Sequence, residues 1–278
     1  MSNILITGAG GAIGHNLRES LQGVYNLIRY SDMKVLKPAR AGEEVVQADL
    51  ADRDSVASLV KGCDTIVHMA ASLGAIRENG EMVGETKWDV ILRNNIISTY
   101  NIFEAAYQAN VKRIVYASSI HAHGMYRKTT VVGDHLPPRP DSRYGLSKAF
   151  GEVTGRFFAD KYGMEVVSLR IATYKSEPTT IRDLGTWLSP NDAVRLVRAA
   201  IDTLDVHFDV LYGVSNNKRG LYENPNAKRF GYFPEDDSEV YRKKLLTQNL
   251  PEESALSRTF HAAHLAESEW DGDMSKIT

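Results

Sequence analysis

Residues 3–14, "NILITGAGGAIG", restrict the chain more than any other stretch. A short apolar run breaks into Gly8, Gly11 and Gly14, a G-x-x-G-x-x-G spacing, and helical spacing follows. A strand that empties into a glycine turn opening a helix lets backbone N–H groups approach a diphosphate at the helix's positive end. A glycine spacing alone also suits a structural turn without ligand, so the residues that follow must decide.

They continue the alternation. "NLIRY" (26–30), "EEVVQ" (43–47), "TIVHM" (65–69), "RIVYA" (113–117), "EVVSLR" (165–170) and "FDVLYGVS" (208–215) read as strands. Between several of them lie helical patterns such as "IISTYNIFEAAYQA" (96–109), and the tyrosines and phenylalanines of 100–116 and 150–162, on helix or strand periods, are expected in the core. Strands alternating with helices imply right-handed crossovers and a parallel sheet covered on both faces. The expected fold is α/β, a doubly wound Rossmann-type parallel sheet with a small C-terminal substrate-binding cap. A helix follows "WLSPNDAVRLVRAAIDTL": Ser189 caps it, Pro190 takes its first position, and Asp192 completes a capping box. Another helix is expected near 237–247. With no linker in sight, residues 1–278 form one domain. Residues 1–171 are mainly dinucleotide-binding core, 172–246 mainly cap, and 247–278 a peripheral tail.

Composition excludes other classes. Of 278 residues, 43% are hydrophobic and the formal net charge is −2, so no general attraction to nucleic acid or anionic membrane is expected. No apolar run approaches the roughly 20 residues that span a bilayer. "MSNILITGAG" carries no secretory pattern, and the single cysteine, Cys63, rules out an intrachain disulfide, so a cytoplasmic setting is expected. Cys63 reads as a small buried hydrophobe. The histidines lack metal-ligand spacing; "HAAH" (261–264) would set two on one helical face without an acidic third ligand. No metal is expected.

Asp32 follows the second strand, about 20 residues beyond the turn. A carboxylate there accepts hydrogen bonds from a ribose diol and repels a 2′-phosphate, which favours NAD over NADP, although Arg29 and Lys34 lie close by. Asp49, after the third strand, either meets the adenine or caps a helix. Strand "RIVYA" delivers Ser118 and Ser119 to the carboxyl edge of the sheet, where ligands of doubly wound folds sit. Tyr144 lies 25 residues after Ser119, and Lys148 one helical turn further on the same face. A phenol is mostly protonated near neutrality, but a neighbouring ammonium and a positive nicotinamide favour the phenolate. The phenolate takes an alcohol proton while hydride leaves the same carbon, and Ser119 holds the reacting oxygen.

Over residues 3–246 these features resemble the extended branch of the short-chain dehydrogenase/reductase superfamily. "SSIHAHG", "RPDSRYGLSK", "TWLSPND", "VLYGVSNN" and "FGYFPEDDSEVYR" are similar to uronate dehydrogenases, which oxidise the anomeric carbon of galacturonate or glucuronate with NAD. The resemblance implies Ser119, Tyr144 and Lys148 as the catalytic set. It implies NAD binding at Gly8, Gly11, Ala12, Ile13, Gly14, Asp32, Asp49, Leu50, Ala70, Ala71 and Thr173, with Tyr144 and Lys148. Ser72, Ser119, His121 and Tyr144 would contact sugar, and Arg182 would hold the carboxylate, a task its planar fork suits. The family's relatives are commonly homo-oligomers, and a sugar or sugar acid is the expected small-molecule partner. Three departures stand out: Ile120 replaces the usual asparagine, the segment 72–90 is longer, and so is the tail. A neutral-aldose dehydrogenase is therefore the alternative. A nucleotide-sugar epimerase or dehydratase needs a larger cap, and a non-catalytic NAD binder would lose the tyrosine or lysine.

Overall fold

The computed structural model describes residues 2–78, 81–248, 252–262 and 264–277. In chain order, β1 (Asn3–Thr7) leads through α1 (Ala12–Ser20) to β2 (Leu27–Asp32) and β3 (Glu43–Gln47). Next come α2 (Arg53–Leu59), β4 (Thr65–His68) and a hairpin of β5 (Ala75–Glu78) and β6 (Glu81–Glu85). Then follow α3 (Trp88–Ile91), α4 (Ser98–Gln108), β7 (Arg113–Ser119), α5 (Arg143–Tyr162) and β8 (Glu165–Ile171). After β8 come β9 (Thr173–Tyr174), α6 (Asp183–Thr186), β10 (Trp187–Leu188), α7 (Pro190–Asp202) and β11 (Phe208–Gly213), the last returning to the sheet.

Seven strands pair in the order β3-β2-β1-β4-β7-β8-β11, every pair parallel. From β1 the chain first winds one way to β2 and β3, then crosses back to place β4 on the other side. A crevice therefore opens at the carboxyl ends of β1 and β4. Strand pleating splits the core. Ile4 and Ile6 point to the layer holding Leu17 of α1 and Leu196 of α7, while Leu5 points to the layer holding Phe103 of α4 and Phe158 of α5. The doubly wound sheet is thus present as the strand pattern requires.

Several local expectations need correction. The capping box of α7 is half made. Ser189 Oγ accepts the Asp192 N–H at 3.0 Å, but the Ser189 N–H donates to Ser215 Oγ at 2.9 Å. Asp192 instead accepts the backbone N–H groups of Glu235 and Asp236, tying the cap to the helix start. The helix expected over 96–109 is α4, entered through a π-helical turn at Leu92–Ile97. The aromatic residues of 100–116 and 150–162 are divided: Phe103, Tyr116 and Phe158 are buried, whereas Tyr100, Tyr107, Phe157 and Tyr162 are exposed. "HAAH" does not continue a helix among its described residues: helix Ala255–Thr259 ends before it in extended Phe260, His261 and Ala262 are non-helical, and His264 opens a separate 3-10 turn (His264–Ala266), with Ala263 outside the described residues. Within the segment 72–90, β5 and β6 pair antiparallel and Trp88 begins α3, and the tail expected at the periphery buries Leu256, Phe260, Ala262 and Leu265. Phe260 forms a β-bridge with Arg127. The tail's charged exterior hid an apolar side that only its packing around Met125, beside the 124–130 segment, reveals.

Candidate active site

The crevice contains a cavity of about 300 Å³ lined by Gly8 and Gly11, by Asp32 and by Asp49 and Leu50 after β3. Ala70, Ala71 and Ser72 after β4 complete the expected set there. Gly8 turns the chain at φ +70°, and a side chain on it would stand 2.6 Å from the Ala70 amide nitrogen. A side chain on Gly14 would strike the Gly8 carbonyl. Both positions therefore require glycine for the β1–α1 turn to close. Gly11 caps α1 with no side-chain hydrogen bond, so the first-turn N–H groups of Ala12 and Ile13 stay available to an anion.

Asp32 is held in place. One carboxylate oxygen accepts the Gly10 N–H at 2.9 Å and the other the Lys34 N–H at 2.9 Å. Arg29 is turned away, its guanidinium paired with Glu44 at 2.6 Å, so only Lys34 shares the cavity with Asp32. Asp49 is paired with Arg93 at 2.5 Å, which holds its carboxyl below the usual range. Asp52 is the acid that caps α2, accepting the Asp54 and Ser55 N–H groups. An open helix start, a fixed carboxylate at the end of β2 and a cavity between them fit a dinucleotide with a free ribose diol.

Ser119 ends β7, Tyr144 and Lys148 stand in the first turns of α5, and all face the same sheet edge. Ser142 starts α5 by accepting the Gly145 N–H at 3.0 Å. Lys148 Nζ donates to the Ala117 carbonyl at 2.7 Å and lies 5.4 Å from the centre of the Tyr144 ring. The expected phenolate rests on Lys148 and the nicotinamide together, and the protein's own groups do not acidify the phenol. Burial pushes Tyr144 up to about 12, the Ser119 hydroxyl draws it down, and the Asp141 charge raises it. Burial also lowers Lys148 to about 7, which removes much of its positive charge near neutrality.

His121 lies edge-on to Tyr144, ring centres 5.9 Å apart. Thr173 Oγ1 sits 2.9 Å from Thr186 Oγ1 and accepts from Arg182 Nη1 at 3.4 Å. Arg182 Nη2 donates to the His261 carbonyl at 2.8 Å, and its buried Nε has no partner among the described residues. Ile120 packs with Tyr126, Val132 and Tyr212 in an apolar cluster.

Sequence reasoning missed Asn94 and Asn95. In the π-helical turn, Asn94 donates to Ser72 Oγ at 3.0 Å. Asn95 accepts the Ser72 N–H at 2.8 Å and donates to the Ser72 carbonyl and to Ser147 Oγ, each at 3.0 Å. Asn95 thereby ties the β4 loop to the helix of Tyr144. Two adjacent asparagines inside an otherwise apolar helical run were the available signal. Met33, Met69 and Ser98 also line the cavity without having been foreseen. Among the described residues, no group of three or more His, Cys, Asp or Glu is placed to hold a metal, and no helix is long and apolar enough to cross a membrane.

Comparison with known proteins agrees with this geometry. Residues 4–183 match the model of the NAD dependent epimerase/dehydratase family. The chain is 41% identical over 251 residues to a uronate dehydrogenase of Pseudomonas syringae pv. tomato, covering 90% of this chain and 88% of that one. It is 32% identical to an L-arabinose 1-dehydrogenase (NAD(P)(+)) of Haloferax volcanii, covering 86% of this chain and 98% of that one. The crystal structure of uronate dehydrogenase from Agrobacterium tumefaciens superposes with a TM-score of 0.88 at 36% identity, over 96% of this chain and 97% of that one. With the glycine turn, the parallel sheet and the Ser–Tyr–Lys edge already in view, the chain belongs to the NAD dependent epimerase/dehydratase family, the extended branch of the short-chain dehydrogenases/reductases.

Proposed function

We propose that this protein oxidises the C1 hydroxyl of a hexuronate, galacturonate or glucuronate, to the aldarolactone with NAD. The observation that carries the reading is the convergence of Ser119, Tyr144 and Lys148 beside the β1–β4 crevice, in a chain 41% identical to a uronate dehydrogenase. Gly8–Gly14, Asp32, Asp49, Leu50, Ala70 and Ala71 would hold NAD, with Thr173 near its reacting end; bound there it would supply the hydride acceptor and a positive ring that favours the phenolate. Tyr144 takes the C1 hydroxyl proton and Ser119 holds the reacting oxygen. The His121 backbone N–H donates to Ser119 Oγ at 3.2 Å, and the serine hydroxyl donates to the Ile171 carbonyl at 3.5 Å, a long bond that it exchanges for one to the reacting oxygen. Lys148 lies within electrostatic reach of the phenol, and Asn95 anchors the neighbouring helix turn. Ser72 and His121 bind sugar hydroxyls, and Arg182 receives the carboxylate in exchange for the His261 carbonyl.

Residues 1–171 are assigned mainly to the cofactor and 172–246 mainly to a substrate-binding cap that contributes Arg182. The unpaired Cys63 suits a reducing cytoplasm. Homo-oligomerisation is part of this reading, and exposed Tyr100 and Tyr107 of α4 with Leu146, Val153 and Phe157 of α5 support it as apolar surface available to a second copy of this chain.

A neutral aldose is the second reading. Ile120 offers no polar contact, and the arabinose dehydrogenase relative favours it. Absorbance at 340 nm, with NAD and NADP in parallel against galacturonate, glucuronate, arabinose, galactose and fucose, tests both. NADH formation with uronates is expected, and its absence there overturns the first reading. Arg182→Ala is expected to lower kcat/KM at least about a hundredfold for uronates and to leave any neutral-sugar rate intact. Equal uronate activity in variant and parent removes the carboxylate role.

A further inference from the structure

His121 pairs beside Tyr144 with Asp141, a buried carboxylate that the chemistry above does not use. His121 Nδ1 lies 2.7 Å from Asp141 Oδ2, and the Asp141 side chain is fully buried while that of His121 is 17% exposed. A carboxylate only accepts, so the Nδ1 atom carries the proton and Nε2 is the acceptor of the neutral ring. The second carboxylate oxygen accepts from Ser142 Oγ at 2.8 Å, and the same hydroxyl oxygen accepts the Gly145 N–H that starts α5. His121 is thus connected to the helix of Tyr144 through Asp141 and its capping serine.

The backbone is built around this pair. The Arg139 N–H donates to the Ala122 carbonyl at 2.9 Å and the Asp141 N–H to the His121 carbonyl at 3.3 Å. A side chain on Gly124 would fall onto the Asp141 carboxylate, and one on Gly145 onto the His121 carbonyl. Two glycines therefore leave the space that the histidine and carboxylate fill. Asp141 also works against the base, since its charge raises the Tyr144 phenol. A buried acid that opposes proton removal, yet is fitted this closely, points to another task.

We propose that Asp141 is a positioning residue: it holds His121 as the Nδ1–H tautomer, so that Nε2 accepts a hydrogen bond from a hydroxyl of the sugar lying against Tyr144. This rests on the sugar dehydrogenase reading, and it adds a specificity element for a polyhydroxylated substrate. Ser142 makes the test directional. In Asp141→Asn the amide oxygen stays with the Ser142 hydroxyl, so the NH2 group faces Nδ1 and moves the ring proton to Nε2. The acceptor becomes a donor, a tautomer reversal of the kind an Asp-to-Asn change imposes on a catalytic histidine.

The experiment combines spectroscopy with kinetics. Nitrogen-15 NMR of histidine-labelled protein at pH 8, with His121 assigned by its loss in His121→Gln, is expected to show Nδ1–H in the parent and Nε2–H in Asp141→Asn. Sugar KM is expected to rise about tenfold or more in Asp141→Asn, with kcat falling less and NAD affinity unchanged. An Nε2–H tautomer in the parent overturns the proposal, as does an Asp141→Asn protein that keeps both tautomer and KM. Should Asp141→Asn fail to fold, the parent spectrum still decides. If the parent turns over no uronate, the substrate reading fails while the tautomer measurement stands apart from it.

Discussion

Tyr144 bears the largest consequence of any single side chain in this reading. Tyr144→Phe keeps the ring that packs beside His121 and removes only the acid–base oxygen. Turnover is expected to fall about a hundredfold to ten-thousandfold while NAD binding, followed by fluorescence titration, stays at the parental value. Retained turnover would show that another group takes the proton. The chemistry of this residue was legible in "SRYGLSK", because a phenol and an amine four apart on a helix share a face. Its pKa was not. Sequence reasoning made Lys148 the acidifying partner, but burial of both groups and the Asp141 charge set the phenol at about 12 and the amine at about 7. Desolvation depends on everything packed around a group, and no local spacing records that.

Among the elements, α7 tests how a cap is built. Ser189 Oγ accepts the Asp192 N–H and itself donates to Asp236 at 2.6 Å, joining the helix start to the segment before Ser238. Ser189→Ala is expected to cost about 1–2 kcal/mol in urea denaturation, with an unchanged m-value. A loss below about 0.3 kcal/mol would mean that water replaces the serine. "LSPND" marked the helix start, since Ser and Pro signal a terminus through their own backbone chemistry. The partner of Asp192 was not marked, because Glu235 and Asp236 come from more than 40 residues away. The π-helical turn at Leu92–Ile97 was equally hidden: an extra residue in a helical turn leaves the apolar spacing nearly unchanged while turning Asn95 toward Ser72.

For the whole molecule, pH and assembly are the measurable properties. Burial holds His68 neutral, lowered to about 3 between the Thr7 and Thr99 hydroxyls, and His123 lowered to about 4. The unfolded chain takes up these protons near pH 6.5, so the contribution is complete above that value and lost as pH falls toward the folded values. Each histidine then removes about 1.4 kcal/mol per pH unit. Tm is expected to drop between pH 7.5 and 5, and less steeply in His68→Gln; equal slopes would refute the assignment. Light scattering is expected to give a multiple of the 30.9 kDa chain mass, and Val153→Lys with Phe157→Glu a monomer. A monomeric parent would refute assembly through this face. By itself the sequence determined the parallel sheet, the glycine turn and the Ser–Tyr–Lys edge, because strand period, turn chemistry and helical phase act over short distances. Only the tertiary structure decided that the tail packs inward, that Arg182 meets the His261 carbonyl and that Asp141 faces His121. Those contacts join segments far apart in the chain, and each depends on which apolar surface the other elements leave uncovered.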